Sequence, residues 1–107
     1  MAYRYKLTPL ALSDIDDALG YIGETLSNPS AADKLYRSLL KEIDSILDGP
    51  FSFPDCSYYL IDDENIRHSV IGNYVLIFEV DENGQLIKLL RFLYGGRDIN
   101  AVLSEAT

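Results

Sequence analysis

The sequence predicts an α+β fold: an N-terminal strand, an antiparallel helical hairpin packed on a largely antiparallel sheet, and a short C-terminal helix. Three observations carry this. Side chains alternate with period two over residues 3–8, and strand-like apolar runs return from residue 66 onward. Two intervening stretches repeat apolar residues at helical spacing. Asn-Pro, Gly-Pro, Gly-Asn and Asn-Gly pairs separate the elements.

In the opening strand, Tyr3, Tyr5 and Leu7 share one face and Arg4, Lys6 and Thr8 the other. Thr8-Pro9 then starts a helix. Threonine is a good N-cap, and proline suits the first helical position because its missing N–H would go unpaired there. This helix is expected to run to about residue 26, with Ile15, Leu19, Ile22 and Leu26 as its apolar stripe. Gly20 and Gly23 weaken it and could allow a neighbouring helix to approach closely. Asn28-Pro29-Ser30 breaks the pattern, and Ser30 with Asp33 resembles a capping box that starts a second helix. Leu35, Leu39, Ile43 and Leu47 line its buried side, with Ile46 adjoining, and Gly49-Pro50 ends it. Helices joined so briefly form an antiparallel hairpin.

Residues 49–65 read as a loop with Pro50, Pro54 and an acidic run. Strands follow at residues 66–71, 74–81 and 85–94, separated by turns at Gly72-Asn73 and Asn83-Gly84. The last strand is apolar on both faces, which suits a central, covered position. Gly95-Gly96 stops it, and residues 97–106 read as a short helix with Asp98 near its positive end.

With 107 residues the chain is expected to form one domain spanning residues 1–107, with little surface to spare for a deep enclosed pocket. No apolar run approaches the roughly 20 residues that span a bilayer, and the start lacks the pattern of a signal peptide. A lone cysteine, Cys56, excludes an internal disulfide framework. These features point to the cytoplasm and to no membrane partner. The net charge of −8 is unfavourable for nucleic-acid binding, which depends on lysine and arginine. The charge is uneven, however. Acids crowd Asp14, Asp16, Asp17 and Asp62, Asp63, Glu64, whereas Arg67, His68, Lys88, Arg91 and Arg97 fall in the later strand region.

Several chemistries can be set aside. One histidine and one cysteine are too few for the usual zinc spacing, so no metal or other cofactor is expected. Asp62-Asp63-Glu64 reads as solvated loop acids. Asp81-x-Asn83-Gly84 fails as a calcium loop because its twelfth position is Phe92. His68 and Ser69 are strand neighbours and point to opposite faces, so they do not form a nucleophile–base pair. Gly95-Gly96-Arg97-Asp98 lacks the ending of a phosphate-binding P-loop. Cys56 has no basic neighbour to activate it. What remains is Arg67, Arg91 and Arg97. They could converge to hold phosphate or carboxylate groups. Alternatively, each could pair with a nearby acid such as Glu79 or Asp98. Among the interleaved aromatics Tyr74, Phe78, Phe92 and Tyr94, base stacking competes with core packing, and packing is the better reading for the two phenylalanines.

The order of elements and the residues within them resemble one family over nearly the full chain, the RelE/ParE toxins. The resemblance begins with Leu7-Thr8-Pro9-Leu10-Ala11 leading into Asp14-Ile15. It continues through the run from Ile66-Arg67-His68-Ser69 to Gly72-Asn73-Tyr74-Val75 and Phe78-Glu79-Val80. It closes with Leu89-Leu90-Arg91-Phe92-Leu93-Tyr94-Gly95-Gly96-Arg97-Asp98-Ile99. The family resemblance implies a RelE/ParE-like fold and a small toxin neutralised by a protein antitoxin that wraps around it. RelE-like members cut mRNA on the ribosome with lysine, arginine and tyrosine side chains. ParE-like members poison DNA gyrase and need no such set.

This chain keeps Arg97 but has Val75 where RelE-like enzymes commonly carry arginine, and Leu103 where they often carry tyrosine. Arg67 and His68 stand on the preceding strand without the usual lysine pair. If the chain cleaved RNA, Arg67 and Arg97 would stabilise phosphate charge, and His68 or Tyr94 would move a proton. For target or phosphate binding the candidates are Arg67, Arg91, Tyr94 and Arg97. The ending from Tyr94 to Ile99 is closer to the ParE pattern, which often has histidine at the position of Tyr94. The resemblance therefore implies a ParE-like inhibitor of DNA gyrase, with a cognate antitoxin as partner and growth inhibition and plasmid stabilization as its roles. The alternatives are a RelE-like, ribosome-dependent mRNA endoribonuclease and a non-toxic antitoxin-binding member.

Overall fold

The computed structural model describes residues 3–96 and 98–105. Strand β1 (Arg4–Leu7) leads into helix α1 (Pro9–Gly20), and helix α2 spans Pro29–Asp48. Strands β2 (Ile66–Ile71), β3 (Tyr74–Asp81) and β4 (Leu86–Tyr94) follow, then helix α3 (Ile99–Glu105). The sheet has the order β1-β4-β3-β2. Both hairpins are antiparallel, and β1 joins β4 in parallel, from Arg4 opposite Leu86 to Leu7 opposite Leu89. The α+β prediction and the central place of the last strand agree with this arrangement.

Both sheet faces are covered, each by a different part of the chain. On one, Ala11, Ile15 and Ala18 of α1 and Leu39, Ile43 and Ile46 of α2 pack against Leu76, Phe78, Val80, Ile87, Leu89 and Phe92. On the other, Cys56 and Ile99 lie over Val75, Ile77 and Leu93, with Val102 and Leu103 of α3 packed alongside. A strand apolar on both faces is what this double cover requires. Among the described residues no helix is long and apolar enough to cross a membrane.

Thr8 caps α1 as expected. Its hydroxyl accepts the Ala11 N–H at 3.1 Å and donates to the Leu90 carbonyl at 3.0 Å, which ties the helix start to β4. The helix does not continue regularly to residue 26. After Gly20 the chain makes a π-helical turn over Tyr21–Thr25. A π turn adds a residue to the winding and advances the phase of everything after it. The apolar stripe therefore ends early: Ile15 is buried and Leu19 packs on the core, but Leu26 is left 54% exposed. Of the two glycines, Gly23 faces α2, where a Cβ would sit 3.4 Å from that of Ala32, while one on Gly20 would meet only its own helix.

Helix α2 starts earlier than the Ser30–Asp33 box suggested. Asn28 is its cap and accepts the Ala31 N–H at 3.1 Å, with Pro29 at the first helical position. Asparagine caps as well as serine, and the proline fixes the entry φ. Asp33 instead pairs with Arg37 one turn on. In the β2–β3 turn Gly72 takes φ +60°. In the β3–β4 turn the left-handed residue is Gln85, not Gly84. Gly84 is needed for proximity: its N–H bonds Asp81 Oδ1 at 3.1 Å, and a Cβ there would lie 2.8 Å from that carboxylate.

Candidate functional site

Arg67 and His68 are adjacent on β2 and face opposite ways, so they do not form one site. The Arg67 guanidinium donates to the carbonyls of Glu64 (2.7 Å), Phe53 (3.0 Å) and Phe51 (3.5 Å) and lies over the Phe51 ring. It fastens the 51–64 loop to the sheet. On the other face His68 Nδ1 is 3.0 Å from the Asp55 carbonyl, which can only accept, so the ring proton sits on Nδ1. Tyr59 packs edge-on against this ring. Cys56 Sγ is 3.8 Å from Nδ1. Burial, reinforced by the Asp55 charge, pushes the Cys56 thiol up to about 11, so it is no thiolate nucleophile.

Arg91 is also committed, but to an unexpected partner. A bulge opposite Ile77/Phe78 leaves Leu90 unpaired and resets the alternation of β4. Leu89 and Phe92 then both face the helices, and Arg91 between them reaches Asp14 on α1. The pair is bidentate, Nε to Oδ2 at 2.7 Å and Nη2 to Oδ1 at 3.1 Å. Asp14 Oδ2 also accepts the Phe92 N–H at 3.0 Å. This hydrogen bonding raises the Arg91 pKa against the opposing effect of burial. Glu79 and Asp98, the acids suggested by sequence, take no part. Asp98 instead caps α3 by accepting the Ala101 N–H at 3.2 Å. Arg97 lies outside the described residues. Among the described residues no group of three histidines, cysteines or acids could hold a metal ion.

Beside the Arg91–Asp14 pair a groove of about 670 Å³ opens between α1, the π-helical turn and the ends of β3 and β4. Tyr74 stacks on Phe92 with centroids 4.9 Å apart, and Tyr94 meets the Tyr74 ring at a steep angle, 5.8 Å away. Burial raises the Tyr74 phenol pKa, and the nearby Tyr94 and Tyr21 phenols raise it further. Tyr21, Tyr74 and Tyr94 all line this groove. Ile22 and Leu26 line the groove further along, toward the end of the π-helical turn. Asp14 and Asp17 are the only charged groups among its described lining residues.

The Gly95-Gly96 stop adjoins this groove. The Gly95 N–H bonds the Asn73 carbonyl at 2.7 Å, pinning the stop to the β2–β3 turn. A Cβ on Gly96 would lie 2.4 Å from the Tyr94 ring, so the ring can fold over the chain only because residue 96 has no side chain. Sequence reasoning singled out Tyr94 and Tyr74 but missed Tyr21. The available signal was its place between Gly20 and Gly23, where regular helix is weakest. Two of the positions that differ from the RelE-like pattern are packed into the far-face core: Val75 is 4% exposed, and Leu103 is half-buried against the same cluster.

The family model that matches this chain places it among toxins of the type II toxin–antitoxin class. That model, described as the ParE toxin of the type II toxin-antitoxin system, parDE, matches residues 5–99. The chain belongs to the ParE toxin family. Among solved structures it is similar to a chain of the chromosomal ParDE toxin–antitoxin system from P. aeruginosa, with a TM-score of 0.67 and 17% identity over 87% of this chain and 96% of that one. It is also similar to a chain of the archaeal RelE-RelB complex from Pyrococcus horikoshii OT3, with a TM-score of 0.58 and 21% identity over 91% of this chain and 99% of that one. At those identities the likenesses establish the fold. No curated protein matches the sequence.

Proposed function

We propose that the chain is a single-domain cytoplasmic toxin that inhibits DNA gyrase by binding it, arrests growth, and is neutralised by a cognate protein antitoxin. The observation that carries the choice of gyrase over mRNA is the packing of Val75 and Leu103. Val75 lies in the apolar cluster under α3 and Leu103 of α3 packs against it, where an RNA-cleaving site would need a cation and a tyrosine. Arg67 is engaged by backbone carbonyls and Arg91 by Asp14, so neither supplies a free cation for a phosphate in transition. Tyr94, the last residue of β4, and Arg97, three positions on in the sequence, are the better candidates for contact with the target. A ParDE toxin–antitoxin system among the similar structures supports an antitoxin as partner.

Purified protein added to gyrase in a supercoiling assay tests this directly. Inhibition that grows with protein concentration is expected, with no cleavage of translated mRNA. Cleavage of mRNA that is lost in Arg67→Ala or Arg97→Ala would favour the endoribonuclease reading instead. Normal growth under strong induced expression would favour a non-toxic antitoxin-binding role.

A further inference from the structure

We propose that the groove over Tyr74 is a cation-selective seat, taking an apolar partner segment that carries an arginine or lysine enclosed by Tyr21, Tyr74 and Tyr94 and balanced by Asp17. The inference rests on the antitoxin reading above, because it takes that segment to belong to the antitoxin. It specifies the chemistry of the contact.

The geometry supplies each requirement. Aromatic faces attract a cation through their quadrupole, and the attraction grows as water is excluded. Here three tyrosines line one space, and the Tyr74–Phe92 stack gives it an apolar floor. Of the two acids present, Asp14 is already saturated by both arms of Arg91 and the Phe92 N–H. Asp17 is exposed, one helical turn on, and has no side-chain partner among the described residues. An incoming cation therefore finds an aromatic wall and one free carboxylate. Further along, Ile22 and Leu26 offer an apolar surface for flanking residues. At about 670 Å³ the space exceeds what one side chain needs and suits a short segment. Charge complementarity points the same way. The whole chain carries −8, so a basic segment is drawn to it and an acidic one is repelled.

The probe is a fluorescein-labelled amphipathic helical peptide with leucines around one central arginine. It is compared with the same peptide carrying citrulline, the neutral isostere, or glutamate, by fluorescence anisotropy against the full chain. The arginine peptide is expected to bind about tenfold more tightly than the citrulline peptide, and the glutamate peptide more weakly still. Asp17→Asn and Tyr94→Ala, both at exposed positions, should each remove most of that preference. Equal binding of the arginine and citrulline peptides, no binding by either, or an unchanged preference in Asp17→Asn would overturn the proposal. The antitoxin reading is scored separately, by co-expression with the product of the neighbouring reading frame. A neighbour that neutralises the toxin and binds Asp17→Asn as tightly as wild type refutes the cation seat and leaves the pair standing. Arginine preference without any neutralising partner supports the seat and refutes the pair.

Discussion

Replacing Asp14 by alanine is expected to be among the most damaging single changes at the groove wall. Its carboxylate takes three hydrogen bonds, two from Arg91 and one from the Phe92 N–H. The paired side chains are only 13% and 12% exposed, so solvent screens them little. Removing one partner of such a pair leaves the other charge buried and unmatched, at a cost of about 3–5 kcal/mol. With a urea dependence of ~1–3 kcal/mol/M for a chain of this size, the unfolding midpoint should fall by roughly 2 M. Asp14→Asn keeps the shape and one acceptor and should lose about 2 kcal/mol, which provides a folded variant if the alanine form is too weak. The decisive comparison is the double variant Asp14→Leu with Arg91→Met. Without either charge it should recover most of the single-variant loss, giving a coupling of about 2 kcal/mol or more in the cycle. A loss below about 1 kcal/mol in Asp14→Ala, or single effects that simply add, would refute the account of a buried, mutually dependent pair.

Other expectations follow from the same packing. The Cys56 thiol is raised from 9.0 to about 11 in the folded state, so the native chain holds this proton more tightly than the unfolded chain. Stability should be full below about pH 9 and fall by roughly 2–3 kcal/mol as pH rises to 11, and Cys56→Ala should flatten that slope in urea titrations. Gly72→Ala meets no neighbour but must hold φ +60°, so it should cost about 1 kcal/mol, visible as a Tm lower by roughly 5 °C. Arg67→Ala should release the 51–64 loop, accelerating hydrogen exchange at the His68 N–H, which bonds the Pro54 carbonyl, while global stability falls by only about 1–2 kcal/mol. Val75→Arg should unfold the chain, with a loss above about 4 kcal/mol by circular dichroism, and should not create mRNA cleavage.

The parts of the fold that were legible in the sequence are those written by periodicity and by turn chemistry. Ile15, Leu39, Ile43 and Ile46 follow helical spacing and are all in the core. The doubly apolar β4 announced cover on both faces, and Thr8-Pro9 fixed the start of α1. What escaped has a common cause, an irregularity of one residue. The π-helical turn after Gly20 and the β4 bulge at Leu90 each shift a pattern by a single position, and no residue type demands either shift. A regular alternation also gave no reason to match Arg91 with Asp14, 77 positions earlier in the chain. The aromatic groove was half legible: Tyr74 and Tyr94 stood out as interleaved aromatics, but Tyr21, which lines the same groove, sits in the π-helical turn that the sequence did not announce.

The same two irregularities explain why the site sits where it does. Without the π-helical turn, Leu26 would continue the α1 stripe toward the core and the groove would lose the apolar surface at the end of that turn. Without the bulge, Phe92 would face the far side of the sheet and Tyr74 would lose its stacking partner. The π-helical turn lines the groove itself, whereas the bulge lies mid-strand at Leu90 and acts on the groove through the facing of Phe92. Tyr94 belongs to the groove wall and is also the last strand residue before the Gly95-Gly96 stop. On the proposed function, a segment seated against Tyr94 would cover the approach to the closing motif, so antitoxin and target would compete for one strand end. Binding linkage then makes the effect reciprocal: whatever factor the antitoxin takes from target affinity, the target takes from antitoxin affinity. Such competition needs no conformational change.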